Sequence, residues 1–265
     1  MATAFPSILC ASILLAGPAL ARDLGSFDRT ITVTGPVDLD VGTNSGRIEV
    51  RTGDSNAVRI HAVISVSNYN DSSETDRRAQ EIQSNPPISQ SGNSIRIDRL
   101  DDFAARHLAI SYEVTAPART RLHSRTGSGG QSVEDIQGPV TATTGSGGIR
   151  IHNVAEEVSA RTGSGEIDLE SIRGRVEATT GSGGIRGMNL SGPVTGRAGS
   201  GGITLRLPST SGFELRAQTG SGRVYVDPPI TMQSASFGGH QVRGQIRGGG
   251  PLIDLSTGSG GIRIE

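Results

Sequence analysis

Lysine and tryptophan are absent from the chain, and cysteine occurs once, at Cys10. That cysteine falls in the N-terminal segment, so the chain beyond it can use neither disulfides nor thiolate chemistry. All 25 basic residues are arginines, set against 26 acidic residues for a formal net charge of −1. No basic patch emerges that would suit a nucleic-acid backbone. Aromatic residues make up 3% of the sequence, which removes the flat stacking surfaces that sugar-binding grooves often employ. An apolar content of 34% is low for a globular domain, although a thin core needs less. The histidines (His61, His107, His123, His152 and His240) show no metal-ligand spacing.

Glycine, by contrast, is abundant, with 38 residues, and much of it is periodic. The string Thr/Ala-Gly-Ser-Gly begins its glycine at Gly127, Gly145, Gly163, Gly181 and Gly199, a constant step from each to the next, then at Gly220 and Gly258. A fixed step of this length marks a supersecondary unit that stacks on its neighbours because it cannot bury its apolar face alone. Aligning the copies gives vertical apolar columns. One is Ile149, Ile167, Ile185 and Ile203; another is Val140, Val158, Val176 and Val194. Polar residues alternate with them, the period-two pattern of half-buried strands. The expected architecture is therefore all-β: a single-chain β-solenoid, β-helix-like, with about 18 residues per coil.

Each coil turns sharply at Gly-Ser-Gly, where a residue without Cβ can take positive φ and let the next backbone approach. Ser128, Ser146, Ser164, Ser182, Ser200, Ser221 and Ser259 are then expected to form a hydroxyl ladder along that corner. On the outward face Arg150, Asp168 and Arg186 should lie above one another, alternating in sign.

Residues 1–21 read as a secretory signal peptide, with an apolar stretch from Ile8 to Leu20 and a small-x-small site at Ala19-Leu20-Ala21. The apolar run is shorter than a membrane span needs, so no transmembrane segment is expected after cleavage. Residues 22–120 form an irregular β-rich cap in which Asp71 to Ser84 is one short helix, started by Ser72 or Ser73 and stopped at Asn85-Pro86-Pro87. Thr43-Asn44-Ser45-Gly46-Arg47-Ile48 resembles a degenerate corner, so the β stack is expected to begin before the regular repeats. Residues 121–265 are the solenoid, with a loop insertion at about 227–250. Stacking in chain order leaves the coil at Gly258 uncovered, a place where another chain could add a strand, with Arg263 and Glu265 as gatekeepers.

The order of signal peptide, Ser-Gly-x-Ile corner, the Pro-containing strand at Ala116-Pro117 and tandem Thr/Ala-Gly-Ser-Gly-x-Ile/Val turns resembles the bacterial "putative adhesin" (toastrack) domain family of unknown function. The likeness covers nearly all of residues 27–265. It implies a non-enzymatic β-solenoid in the cell envelope or secreted, and it brings no catalytic residues.

Rival chemistries find little support in the residues. Calcium-binding β-rolls need Gly-Gly-x-Gly-x-Asp nonapeptides, and only Gly163–Asp168 brings carboxylates near a corner. No Lys-Ser/Thr follows the glycines to cradle phosphate, and a serine repeated in every coil is structural rather than a nucleophile. A β-helix carbohydrate-active enzyme would use Glu166, Asp168 and Glu170 with Arg150 and Arg186. The preferred reading is an exported, non-catalytic binding module without cofactor or metal. Its partner is an envelope protein or surface glycan, and self-association through the C-terminal coil is the structural alternative.

Overall fold

Two strands per repeat, each alternating apolar in and polar out, can hide their apolar faces only by laying one repeat on the next. The computed structural model, which describes residues 22–66, 73–101, 107–235 and 239–265, is a β-solenoid of this kind. One strand of each coil enters a 12-stranded sheet and the other an 11-stranded sheet. In the larger sheet Thr120–Ser128, Val140–Ser146, Val158–Thr162, Val176–Thr180 and Val194–Ala198 pair in parallel. In the smaller, Gln131–Glu134, Ile149–Val154, Ile167–Ile172, Ile185–Met188 and Ile203–Arg206 do the same. Register is one whole repeat, so Val140 faces Val158 and Ile149 faces Ile167. These columns are buried between the sheets. The residues 1–21, with Cys10, and the helix start at Asp71-Ser72 lie outside the described residues.

The two corners of the coil are built differently. At Thr-Gly-Ser-Gly the coils approach so closely that a Cβ on Gly165 would sit 1.6 Å from the Gly147 carbonyl oxygen. The serines stack, Ser128 opposite Ser146, but are exposed. The stacked serines line the exposed edge, and the hydrogen-bonded ladder beside them is threonine. Buried Thr144, Thr162 and Thr180 donate through Oγ1 to the carbonyls of Gly129, Gly147 and Gly165 in the coil before, at 3.1, 2.9 and 2.9 Å. The same hydroxyls of Thr162 and Thr180 accept from the amides of Gly165 and Gly183 at 3.0 Å. Alternation would turn both residues inward, since they are two apart, but it ends at the intervening glycine, where the chain turns and leaves the serine exposed. The second corner turns through Asp135, Asn153, Ser171 and Asn189, whose φ values of 61, 53, 58 and 54° are left-handed. Asn and Asp are the residues that accept this conformation most readily.

One rung of the threonine ladder is missing, at Ala198. Ala198→Thr is expected to raise stability by about 1 kcal/mol, a net hydrogen bond to the Gly183 carbonyl. In a chain of this size that corresponds to roughly 2–4 °C in Tm. Thermal melts read by circular dichroism test it, and a lowered Tm would show that the site has no room for the hydroxyl.

At the N-terminal end Val37–Ser45 and Ile48–Thr52 form a full coil, paired to Thr120–Ser128 and Gln131–Glu134. Strands Leu108–Ala116, Ala57–Val66 and Arg22–Thr32 then extend the smaller sheet, and Ser94–Ile97 and Ile88–Ser91 the larger. The helix Ser73–Ser84 packs on Arg22–Thr32 and buries Ala79 and Ile82. Tyr112 meets Phe27 edge to face, with 6.4 Å between ring centroids, and burial pushes its phenol well above the ordinary tyrosine range.

The other end departs from chain order. Strands Leu252–Thr257 and Ile262–Ile264 lie between the coil Val194–Arg206 and the coil Phe213–Val226. The coil at Gly258 is thus internal, which corrects the expectation of an uncovered C-terminal coil open to self-association. Gly196 supplies a physical reason. It faces inward, and a Cβ there would meet Leu255 Cδ2 at 2.9 Å, so the leucine fills the space that glycine leaves. Stacking in chain order would instead bring Ala217 into this row, the residue that now lies beyond Leu255, and leave a void costing about 2–5 kcal/mol. Burial agrees: Ile253, Leu255, Ile262 and Ile264 are each 0% exposed, whereas Val224 and Val226 at the rim are only partly buried. Arg263 and Glu265 are not gatekeepers but cross-coil partners: Arg263 pairs with Asp227 at 3.2 Å and Arg206 with Glu265 at 2.9 Å. Nor are residues 227–250 a plain loop. They hold Ile230–Ala235 and Gln241–Ile246, an antiparallel pair that extends the larger sheet, with Val242 and Ile246 turned inward.

Candidate binding face: a charged furrow

In-register stacking turns every outward position of a coil into a row across the sheet, because residues i and i+2 of one strand face the same way. On the smaller sheet two such rows run side by side. The first passes through Asp28, His61, Glu113, Glu49 and Ser132, then Arg150, Asp168, Arg186 and Thr204. The second passes through Thr30, Arg59, Thr115, Arg51 and Glu134, then His152, Glu170, Met188 and Arg206. Between them lie two recesses of about 530 and 570 Å³ that both include Glu134. Floored by Val50, Ile60 and Val114 in one and by Ile151, Leu169 and Gly187 in the other, they form one furrow. It crosses eight strand-to-strand steps, about 38 Å.

The furrow takes in four of the five residues weighed for carbohydrate chemistry and joins three of them, Arg150, Asp168 and Arg186, as ion pairs. Asp168 lies between Arg150 at 3.8 Å and Arg186 at 3.7 Å, and Glu166, at the corner, reaches Arg186 at 2.8 Å. Glu170 stands in the other row between His152 and Met188. Further along, His61 Nδ1 is 2.8 Å from Asp28 and Arg59 is 2.6 Å from Asp54. Such exposed pairs contribute only about 0–1 kcal/mol each. Met188, 37% exposed, is the apolar exception.

The glycine and serine residues of the corner ladder, Gly127 to Ser221 and Gly258-Ser259, lie along the Thr-Gly-Ser-Gly corner and not in the furrow, while Ile149, Ile167, Ile185, Ile203, Val140, Val158, Val176 and Val194 are in the core. Half of the furrow comes from residues 28–61 and 113–115, where the repeat does not reach. No local signal marks Asp28, Arg59, His61 and Glu113 as neighbours, since only antiparallel pairing of distant strands aligns them. Among the described residues no cluster of His, Cys, Asp and Glu is arranged to hold a metal ion, and no helix is long and apolar enough to cross a membrane.

A family model described as Toastrack DUF4097 matches residues 30–265. No curated protein sequence matches the chain. Among solved structures, it aligns with a protein described as a "putative cell adhesion protein" from Clostridium sporogenes, at 13% identity and a TM-score of 0.43, covering 91% of this chain and 99% of that one. A "putative adhesin" from Bacteroides fragilis aligns at 12% identity and 0.39, covering 91% and 97%. A "putative lipid binding protein" from Parabacteroides distasonis aligns at 15% and 0.39, covering 91% and 96%.

Proposed function

The chain belongs to the Toastrack DUF4097 family, and on that premise we propose that it is a non-catalytic binding module, exported to the cell envelope, that holds an elongated partner along the furrow. The observation that carries this reading is the continuity of two outward rows across nine strands. Every strand of the face is hydrogen-bonded into the sheet, so the banks are set before a ligand arrives and little ordering entropy is lost on binding. An envelope protein or a surface glycan fits such a trough. Export is supported by the apolar stretch Ile8–Leu20 and the site Ala19-Leu20-Ala21.

Passing solubilised envelope of the source cell over the immobilised protein tests this, with Arg186→Glu as the comparison. That change sets a third negative charge beside Glu166 and Asp168, near the Thr204 end of the furrow. A component retained by the native protein and released by the variant supports the reading; retention of nothing, or of the same components by both, overturns it. A second reading, end-to-end self-association, moves from the C-terminal coil to the outermost strands, Val224–Val226 and Ile230–Ala235. It is favoured by Tyr225 and Met232, 51% and 52% exposed there. Sedimentation at rising concentration separates the two.

A further inference from the structure

A recess of about 910 Å³ lies away from the furrow, along the second corner. Its shape follows from one column of the repeat: Arg119, Gln137, Ala155 and Arg173, each a full repeat after the one before. Backbone bonds stack them, from the amides of Gln137, Ala155 and Arg173 to the carbonyls of Ala118, Ile136 and Val154 at 2.8, 3.1 and 3.1 Å. The middle of the column is short, with Gly138 beside it, while arginine stands at both ends. The result is a trough closed by guanidinium groups three coils apart, about 14 Å at the sheet spacing.

The charges here differ from those of the furrow. Arg150, Arg186 and Arg206 are all engaged by carboxylates. Arg119, Arg121 and Arg173 are exposed, and among the described residues their guanidinium groups have no ion-pair or hydrogen-bond partner. A guanidinium is a rigid fork of donors matched to carboxylate or phosphate. Three such forks line one recess with no carboxylate at ion-pair distance, although Asp38 stands opposite Arg121 on the neighbouring strand. The same walls carry Asp38 and Glu156, acceptors placed for hydroxyl groups, while Asp135 is already engaged by Asn153 Nδ2 at 2.7 Å. A polyanion with a charge on every unit, such as a nucleic acid, would be repelled by these carboxylates. A ligand with spaced anionic groups and many hydroxyls would use both sets. No aromatic residue lines the recess, so recognition rests on charge and hydrogen bonds.

We propose that this corner trough binds an acidic saccharide chain, with Arg119 and Arg121 at one end and Arg173 at the other holding carboxylate or phosphate groups of the sugar. The site is separate from the furrow, so its failure and that of the furrow reading are distinguishable.

Calorimetric titration of the purified protein with hyaluronan oligosaccharides, which carry a carboxylate on every second sugar, a phosphorylated mannan and neutral dextran tests it. Binding of either acidic probe with dextran silent supports the proposal, and the two acidic arms tell carboxylate from phosphate as the source. Arg119→Gln and Arg173→Gln should each weaken that binding at least about tenfold. Ala155→Phe, which fills the middle of the trough, should do so without changing any charge. Arg197→Gln on the larger sheet, outside both the trough and the furrow, should leave it unchanged. Unchanged melting curves for the variants exclude unfolding as the cause. Equal binding of dextran, no binding of either acidic probe, full affinity in the arginine variants, or binding of an acidic peptide in place of the saccharides would overturn it.

Discussion

Gly165→Ala is expected to lower Tm by more than about 10 °C, or to abolish the cooperative transition, while Gly130→Ala melts within about 2 °C of the native protein. Both glycines belong to Thr-Gly-Ser-Gly-x corners, so composition does not distinguish them. Geometry does. The added Cβ at Gly165 would lie 1.6 Å from the Gly147 oxygen and 2.2 Å from its carbonyl carbon. Those atoms are backbone, tied into the neighbouring coil, and cannot swing away as a side-chain tip would. At Gly130 the nearest atom is the Gly148 oxygen at 3.7 Å, an ordinary contact. The chain itself uses this freedom, since the equivalent position holds Glu166 and Arg223 in other coils. Relieving the Gly165 clash means parting two coils, which breaks parallel hydrogen bonds in both sheets. Scanning calorimetry of the two variants decides it, and a native-like Tm for Gly165→Ala would mean that the coils can part at that corner.

Deletion of residues 252–265 should have an effect of similar size, and of a particular kind. These strands are the layer through which the coil Phe213–Val226 is attached to the coil Val194–Arg206. Removing them should release everything beyond Leu207, expose the edges of Val194–Ala198 and Ile203–Arg206, and leave Gly196 without Leu255. Limited proteolysis read by mass spectrometry should find a protected core ending near Leu207, with the remainder digested. A protein stacked in chain order would behave differently, losing only the deleted coil and keeping Phe213–Val226 protected. Unpaired strand edges of this kind promote association, so the deleted protein should also sediment as larger species. Protection extending through Val226 would count against the interleaved order.

The period of the repeat was legible without coordinates because parallel stacking forces chemical identity down a column. An isoleucine under an isoleucine fits, and a glycine must recur wherever backbones approach. The helix at Ser73–Ser84 was also local, framed by a serine at its start and the Pro86-Pro87 pair after it. The two corners differed in legibility. Gly-Ser-Gly is conspicuous, whereas the Asp135, Asn153, Ser171, Asn189 column has the same step with changing identities, and its left-handed φ emerges only from the backbone. The threonines were visible but their role was not, since donor and acceptor lie 15 residues apart on different coils.

The sequence by itself determined the unit: strand, glycine corner, strand, second corner, repeated on one step and all-β. What it could not determine was which units touch once the step changes. Beyond Gly199 the spacing is lost, and the neighbour of a coil is then chosen by packing rather than by chain order. Gly196 accepts Leu255 because a large side chain must fill what glycine leaves empty, and Ile262 and Ile264 take an interior place because partly buried Val224 and Val226 cost less at a rim. The furrow has the same origin. Its rows join Asp28 to Thr204 through pairings between strands distant in sequence, so the face exists only once tertiary structure has set those strands side by side.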